Sequence, residues 1–161
     1  MTPSFKTCFF GVCCMLVLAI STGTHATPGQ PGTLDTSFNG TGKVISHITG
    51  TLNVANGAAL QPDGKIVLGG VCQTGGFTKL CALRYNADGS LDTSFGGTGM
   101  IVSTVAANDS VSSVAVLRDG KLLFAGSCNR SSVVGFCARR FNADGSLDTA
   151  YGDGVTGTSL T

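Results

Sequence analysis

Tryptophan and glutamate are missing from this 161-residue chain, and charge is scarce, with 12% of residues charged. Glutamate is a good helix former, so its absence beside 24 glycines argues against a helical protein. A 42% share of hydrophobic residues also excludes a disordered polar chain. Ten basic residues stand against nine aspartates, without the surplus that phosphate contacts require, so nucleic acid is not an expected partner. Histidine occurs only at His25 and His47, which leaves few bases for nucleophilic catalysis.

What is present begins with a leader. Lys6 precedes an unbroken apolar run from Cys8 to Ile20, and Ser21 to Ala26 is small and polar. This predicts a signal peptide over 1–26, with Thr24 and Ala26 placed for cleavage. As a helix the run would span only ~20 Å of a ~30 Å hydrocarbon core, too short for a membrane anchor. A lipoprotein modified at Cys13 or Cys14 fits less well, because both lie inside the run. The chain is therefore expected in a secreted, periplasmic or cell-envelope setting, with no membrane span after cleavage. Residues 27–33 read as a Pro/Gly linker. Beyond it nine basic residues balance nine aspartates, with no polybasic patch for anionic lipid.

A repeat dominates the remainder. Leu34-Asp35-Thr36-Ser37-Phe38 returns as Leu91-Asp92-Thr93-Ser94-Phe95 and again as Leu147-Asp148-Thr149-Ala150-Tyr151. Asp63-Gly64-Lys65 matches Asp119-Gly120-Lys121, and Tyr85 to Ser90 matches Phe141 to Ser146. The repeats run over 34–90 and 91–146, with a truncated third opening at 147–161. Alternating apolar residues predict four strands per unit. These are Lys43 to Thr49, Asn56 to Gln61, Lys65 to Cys72 and Lys79 to Asn86 in the first. In the second, Met100 to Val105, Ser112 to Leu117 and Gly135 to Asn142 match the first, second and fourth. Asp63-Gly64 is expected to close a tight hairpin in which both central residues can take positive φ. Four antiparallel strands repeated in tandem make the fold class all-β, with β-propeller-like blades.

The run Asn86 to Gly99, Asn-Ala-Asp-Gly-Ser-Leu-Asp-Thr-Ser-Phe-Gly-Gly-Thr-Gly, together with the hairpin Pro62 to Lys65, resembles the delta-60 repeat proteins. That is a β-propeller-like family of uncharacterised function. The resemblance extends over Leu34 to Val155 and implies a propeller-like fold in a bacterial envelope or secreted setting, without implying an activity. Closed propellers use about 4 to 8 blades. Two units leave open edges, which predicts self-association into a closed ring, a truncated member of a longer array, or a small two-blade domain.

Cys8, Cys13 and Cys14 belong to the leader, leaving Cys72, Cys81, Cys128 and Cys137. An even number in an exported chain suggests disulfides, and the repeat suggests Cys72–Cys81 and Cys128–Cys137. This sets an expected register in which Cys72 faces Cys81, Gly70 faces Leu83 and Leu68 faces Tyr85. In the second unit Gly126 faces Arg139 and Phe124 faces Phe141. Zinc binding lacks Cys-x-x-Cys knuckles, and buried free thiols would require a reducing compartment.

Asn86, Asp88, Ser90 and Asp92 place oxygens at alternate positions, as do Asn142, Asp144, Ser146 and Asp148. Calcium is the weak alternative here, because the sixth position is Leu91 rather than glycine and no Glu follows. A turn held by Asx hydrogen bonds is the stronger reading. Asp35, Asp92 and Asp148 are expected to cap amides, with Leu and Phe entering the seam between blades. The segment also resembles the structural Asp-box of sialidase-type propellers, with Ser94 in place of its glycine. His47 reads as a surface residue. No nucleophile elbow, phosphate loop or metal cluster is apparent, so no enzyme activity and no cofactor are expected. The expected role is binding or scaffolding toward a protein or glycan ligand. The alternatives are a fragment of a propeller hydrolase or lyase that needs further blades, and a structural envelope protein.

Overall fold

The computed structural model describes residues 32–104, 108–130, 133–152 and 158–160. The signal peptide and most of the linker read from the sequence lie outside them. The described residues form two four-stranded antiparallel sheets and no helix. In the first, β1 (Asn53–Leu60), β2 (Ile66–Thr74), β3 (Phe77–Tyr85) and β4 (Met100–Val102) lie in that order. In the second, β5 (Ser110–Val116), β6 (Leu122–Arg130), β7 (Val133–Phe141) and β8 (Thr158–Leu160) repeat it.

The expected strand grouping is out of phase with the blades. Lys43 to Thr49 forms no ladder, and Met100–Val102 closes the first sheet instead of opening the second. The reason lies in the connection after β3. An isolated bridge joins Tyr85 to Leu91, and Arg84 N donates to Gly99 O, so the chain returns to the open edge of β3. Met100 there pairs with Leu83. The opening of the third repeat does the same for the second blade, where Thr158 pairs with Arg139.

Register also departs from expectation, by two residues. Cys72 pairs with Lys79, Gly70 with Cys81, Leu68 with Leu83 and Ile66 with Tyr85. In the second sheet Gly126 pairs with Cys137, Phe124 with Arg139 and Leu122 with Phe141. In the first sheet the cause is a two-residue turn at Gly75-Gly76, both at positive φ, which centres the hairpin one position earlier. A shift of two keeps every side chain on its face, so the disulfides Cys72–Cys81 and Cys128–Cys137 form diagonally. The β1–β2 connection differs too. Only Gly64 takes positive φ, Gly64 N donates to Gln61 O and Gln61 N to Lys65 O. That is a three-residue loop with its glycine left-handed, and Gly120 repeats it.

The core lies between the sheets. Val67, Leu80, Ala82 and Ile101 of the first face Val111, Leu122, Phe124 and Phe141 of the second, with Phe95 wholly buried among them. Close approach depends on Gly69, where a β-carbon would lie 2.6 Å from Cε1 of Phe124. Asn56, the bulged residue of β1, donates Nδ2 to Val111 O across the seam at 2.7 Å.

Candidate binding surfaces and buried charge clusters

Each blade buries one carboxylate between two cations at the strand ends. Asp92 Oδ2 accepts from Arg84 Nε at 2.7 Å and lies 3.0 Å from Lys65 Nζ. Its Oδ1 accepts from Ser94 N and Oγ at 3.1 and 2.6 Å. The Arg84 guanidinium sits 4.7 Å from the Phe95 ring centre and donates Nη1 to Ala143 O in the second blade. One arginine thus ties its own blade to the next. Burial opposes ionisation of Asp92, but the hydrogen bonds from Ser94, Lys65 and Arg84 outweigh it and hold the carboxyl well below its ordinary range.

The second cluster repeats the first. Asp148 Oδ2 accepts from Lys121 Nζ at 2.7 Å and Arg140 Nε at 2.6 Å, and Arg140 stacks 4.6 Å from the centre of Tyr151. The Lys121 bond, then Arg140 against opposing burial, brings the Asp148 pKa down to about 2. Among the described residues no carbonyl plays the part of Ala143, and the Arg140 side chain stays 24% exposed against 6% for Arg84.

Asp35 is the third member of the repeat. It is exposed, and its Oδ1 accepts from Ser37 N and Oγ at 2.9 and 2.6 Å, with no cation on the carboxylate among the described residues. The amide bonds to Asp35, Asp92 and Asp148 and the burial of Phe95 follow the sequence expectation.

The oxygens considered for calcium divide between two environments. Asp88 Oδ1 accepts from Ser90 N and Oγ, and Asn86 Nδ2 donates to Ser90 Oγ, all in an exposed turn. Asn142, Asp144 and Ser146 repeat this arrangement. Asp92 and Asp148 instead turn inward to their cations. Among the described residues no three His, Cys, Asp or Glu side chains gather as a metal group. His47 is exposed beside the first sheet.

A further pair was hidden from the repeat pattern. Arg139 Nη1 donates to Asp109 Oδ2 at 2.6 Å and to Ser103 Oγ at 2.9 Å, with both charged side chains almost fully buried. At the aligned positions of the first unit stand Leu83 and Asn53. The signal was a joint departure from the repeat, with an acid and a base gained together.

Among the described residues, two sheet faces have no sheet packed on them. The outer face of the second sheet holds an open concavity of about 570 Å³ lined by Ser113, Ala125, Ser127, Phe136, Ala138 and Tyr151. The same positions in the first sheet form the buried seam: Leu80 is 3% exposed where the aligned Phe136 is 82% exposed. The outer face of the first sheet, with Leu68, Leu83 and Tyr85, encloses about 220 Å³ beneath Val44 to Ile48.

Residues 61–95 and 117–151 match the model of a β-propeller domain of unknown function, DUF5122. The fold is that of two tandem β-propeller-like blades. Each match begins at the β1–β2 or β5–β6 turn and ends on the aromatic residue that the arginine stacks against. All the charged side chains of the two Arg–Asp–Lys clusters therefore fall inside the matched stretches, whereas Arg139 has no counterpart in the first. No curated protein matches the chain.

Proposed function

We propose that this is an exported, non-catalytic member of the delta-60 repeat proteins, a binding or scaffolding module that works through its uncovered sheet face. The observation that carries this is the concavity around Phe136, a large apolar side chain left in water where its repeat equivalent is buried. The charged groups support the same reading. Asp92 and Asp148 are held ionised by cations in the frame, which suits them poorly to act as general acids. Two disulfides fit an oxidising compartment, and the leader fits export to one. The ligand class is a protein or a glycan.

Binding of the chain from Thr27 onward to glycan arrays and solubilised envelope proteins tests the reading. Phe136→Asp, a change at an exposed position, is expected to remove that binding. Chromogenic glycosides, esters and polyuronates should show no turnover. Turnover abolished by Asp92→Asn, or binding indifferent to Phe136→Asp, would overturn the proposal.

A further inference from the structure

The two ends of the blade pair carry the two halves of the seam between them. Inside the chain, Gly57 and Gly69 of the first sheet receive Val114 and Phe124 of the second. At the free ends the aligned residues are Ser113 and Ala125 on one face, and Ala58 and Leu68 on the other. Where one face gains β-carbons, the opposite face loses volume. That compensation suits the outer face of one copy to the opposite face of another, which is a heterologous, head-to-tail contact.

A closing strand is also in place. Phe38 and Lys43 to Ser46 lie on the first blade much as Phe95 and Met100 to Ser103 lie on the second. Asn39 N donates to Asp88 O at 2.7 Å, as Gly96 N does to Asp144 O at 2.8 Å. Tyr85 donates its hydroxyl to Ser46 Oγ, and its ring meets Phe38 edge-on at 6.5 Å. Met100–Val102 also serves as the fourth strand of the sheet before it, whereas Lys43 to Ser46 has no such sheet among the described residues. Ile45 is consequently 84% exposed and Leu34 61% exposed.

The segment fits the second blade better than the strand now closing it. Lys43-Val-Ile-Ser46 resembles Met100-Ile-Val-Ser103, while β8 offers Thr158-Ser-Leu160. Ser159 is the register partner of Ala138, as Ile101 is of Ala82. Val and Ile are also the stronger strand formers.

We infer that Leu34 to Ser46 of one copy closes the second blade of another, in place of Leu147–Gly152 and β8. Lys43, Val44 and Ile45 then pair with Arg139, Ala138 and Cys137 of the neighbouring copy, the register that β4 takes on β3. Asp35 meets Lys121 and Arg140, and Arg140 gains Ala87 O as Arg84 has Ala143 O. The ligand of the uncovered face is thus a second copy of this chain. This inference rests on the scaffolding reading and adds to it the occupant and the strand.

The test is absolute mass by light scattering on the oxidised chain from Thr27 onward, over a concentration series. A discrete assembly is expected. Ile45→Asp, at a residue already in water, should weaken it by about tenfold or more, since a carboxylate would enter the half-buried place that Val102 holds in the first blade. Ile45→Val should restore it. A wild-type monomer at every concentration overturns the inference, as does assembly unaffected by Ile45→Asp. Assembly lost in Phe136→Asp but intact in Ile45→Asp would refute strand exchange and leave the scaffolding reading standing. A monomer that also binds no glycan or envelope protein would remove both.

Discussion

Asp92 and Asp148 are aligned residues whose carboxylates are held ionised by the same pair of cation types. Both have folded pKa values below the ordinary 3.8, Asp148 at about 2. A depressed folded pKa contributes stability that is present above the unfolded value and lost as pH falls through the folded one. The melting temperature should therefore hold from neutral pH to about 5 and fall between about pH 4 and 2. Asp148→Asn should melt lower at neutral pH and show a shallower acid slope, because Lys121 and Arg140 lose their anion. An unchanged slope in that variant, measured by circular dichroism, would remove Asp148 from the account. Gly69 makes a second residue-scale claim. A methyl there would meet the Phe124 ring at 2.6 Å, so Gly69→Ala should cost about 1–3 kcal/mol in denaturant melts. Ala125, its repeat equivalent, lines the open concavity and should tolerate Ala125→Gly with a far smaller effect.

Each of the two long hairpins is stapled by one disulfide. Gly75-Gly76 sets the first register through its two left-handed residues, and Cys72–Cys81 then links positions two apart across the ladder. Such a loop should contribute about 2–3 kcal/mol by restricting the unfolded chain. Cys72→Ala with Cys81→Ala is expected to lower stability by that amount while leaving the strand signal unchanged. Reduction of the wild type should give a comparable loss. The hairpin itself, the cysteine pairing and the shared face of Leu68 and Leu83 were legible from alternation and spacing. The register was not, because alternation has a period of two and cannot distinguish a pairing from one shifted by two. The Gly-Gly turn held that information. The phase of the blade was hidden for a different reason. Lys43 to Thr49 and Met100 to Val105 have the same alternation, but which sheet edge a strand joins depends on the path of the preceding loop.

At the scale of the molecule, the blades are coupled by an apolar seam and by Arg84, whose guanidinium bonds Asp92 in one blade and Ala143 O in the other. Removing a buried charge partner costs about 3–5 kcal/mol when the other is left uncompensated. Lys65 remains beside Asp92, so Arg84→Ala should cost somewhat less, near 3 kcal/mol. It should also broaden the unfolding transition, since the blades lose a shared contact. A sharp, unshifted transition in urea would remove Arg84 from the coupling of the blades. Arg140→Ala, lacking a second blade to hold, should cost less than Arg84→Ala in the isolated chain.

By itself the sequence determined the all-β repeat, the four-stranded unit, the cysteine pairing and the amide-capping aspartates. Each of these follows from local chemistry: alternation, turn residues, spacing and short-range hydrogen bonds. Tertiary structure decided the register, the phase of the blades, the Arg139–Asp109 pair and the burial of one sheet face beside the exposure of its equivalent. Those outcomes depend on which surfaces meet, and aligned residues such as Leu80 and Phe136 have nearly the same local sequence context. Only the presence or absence of a neighbouring sheet makes one of them core and the other surface.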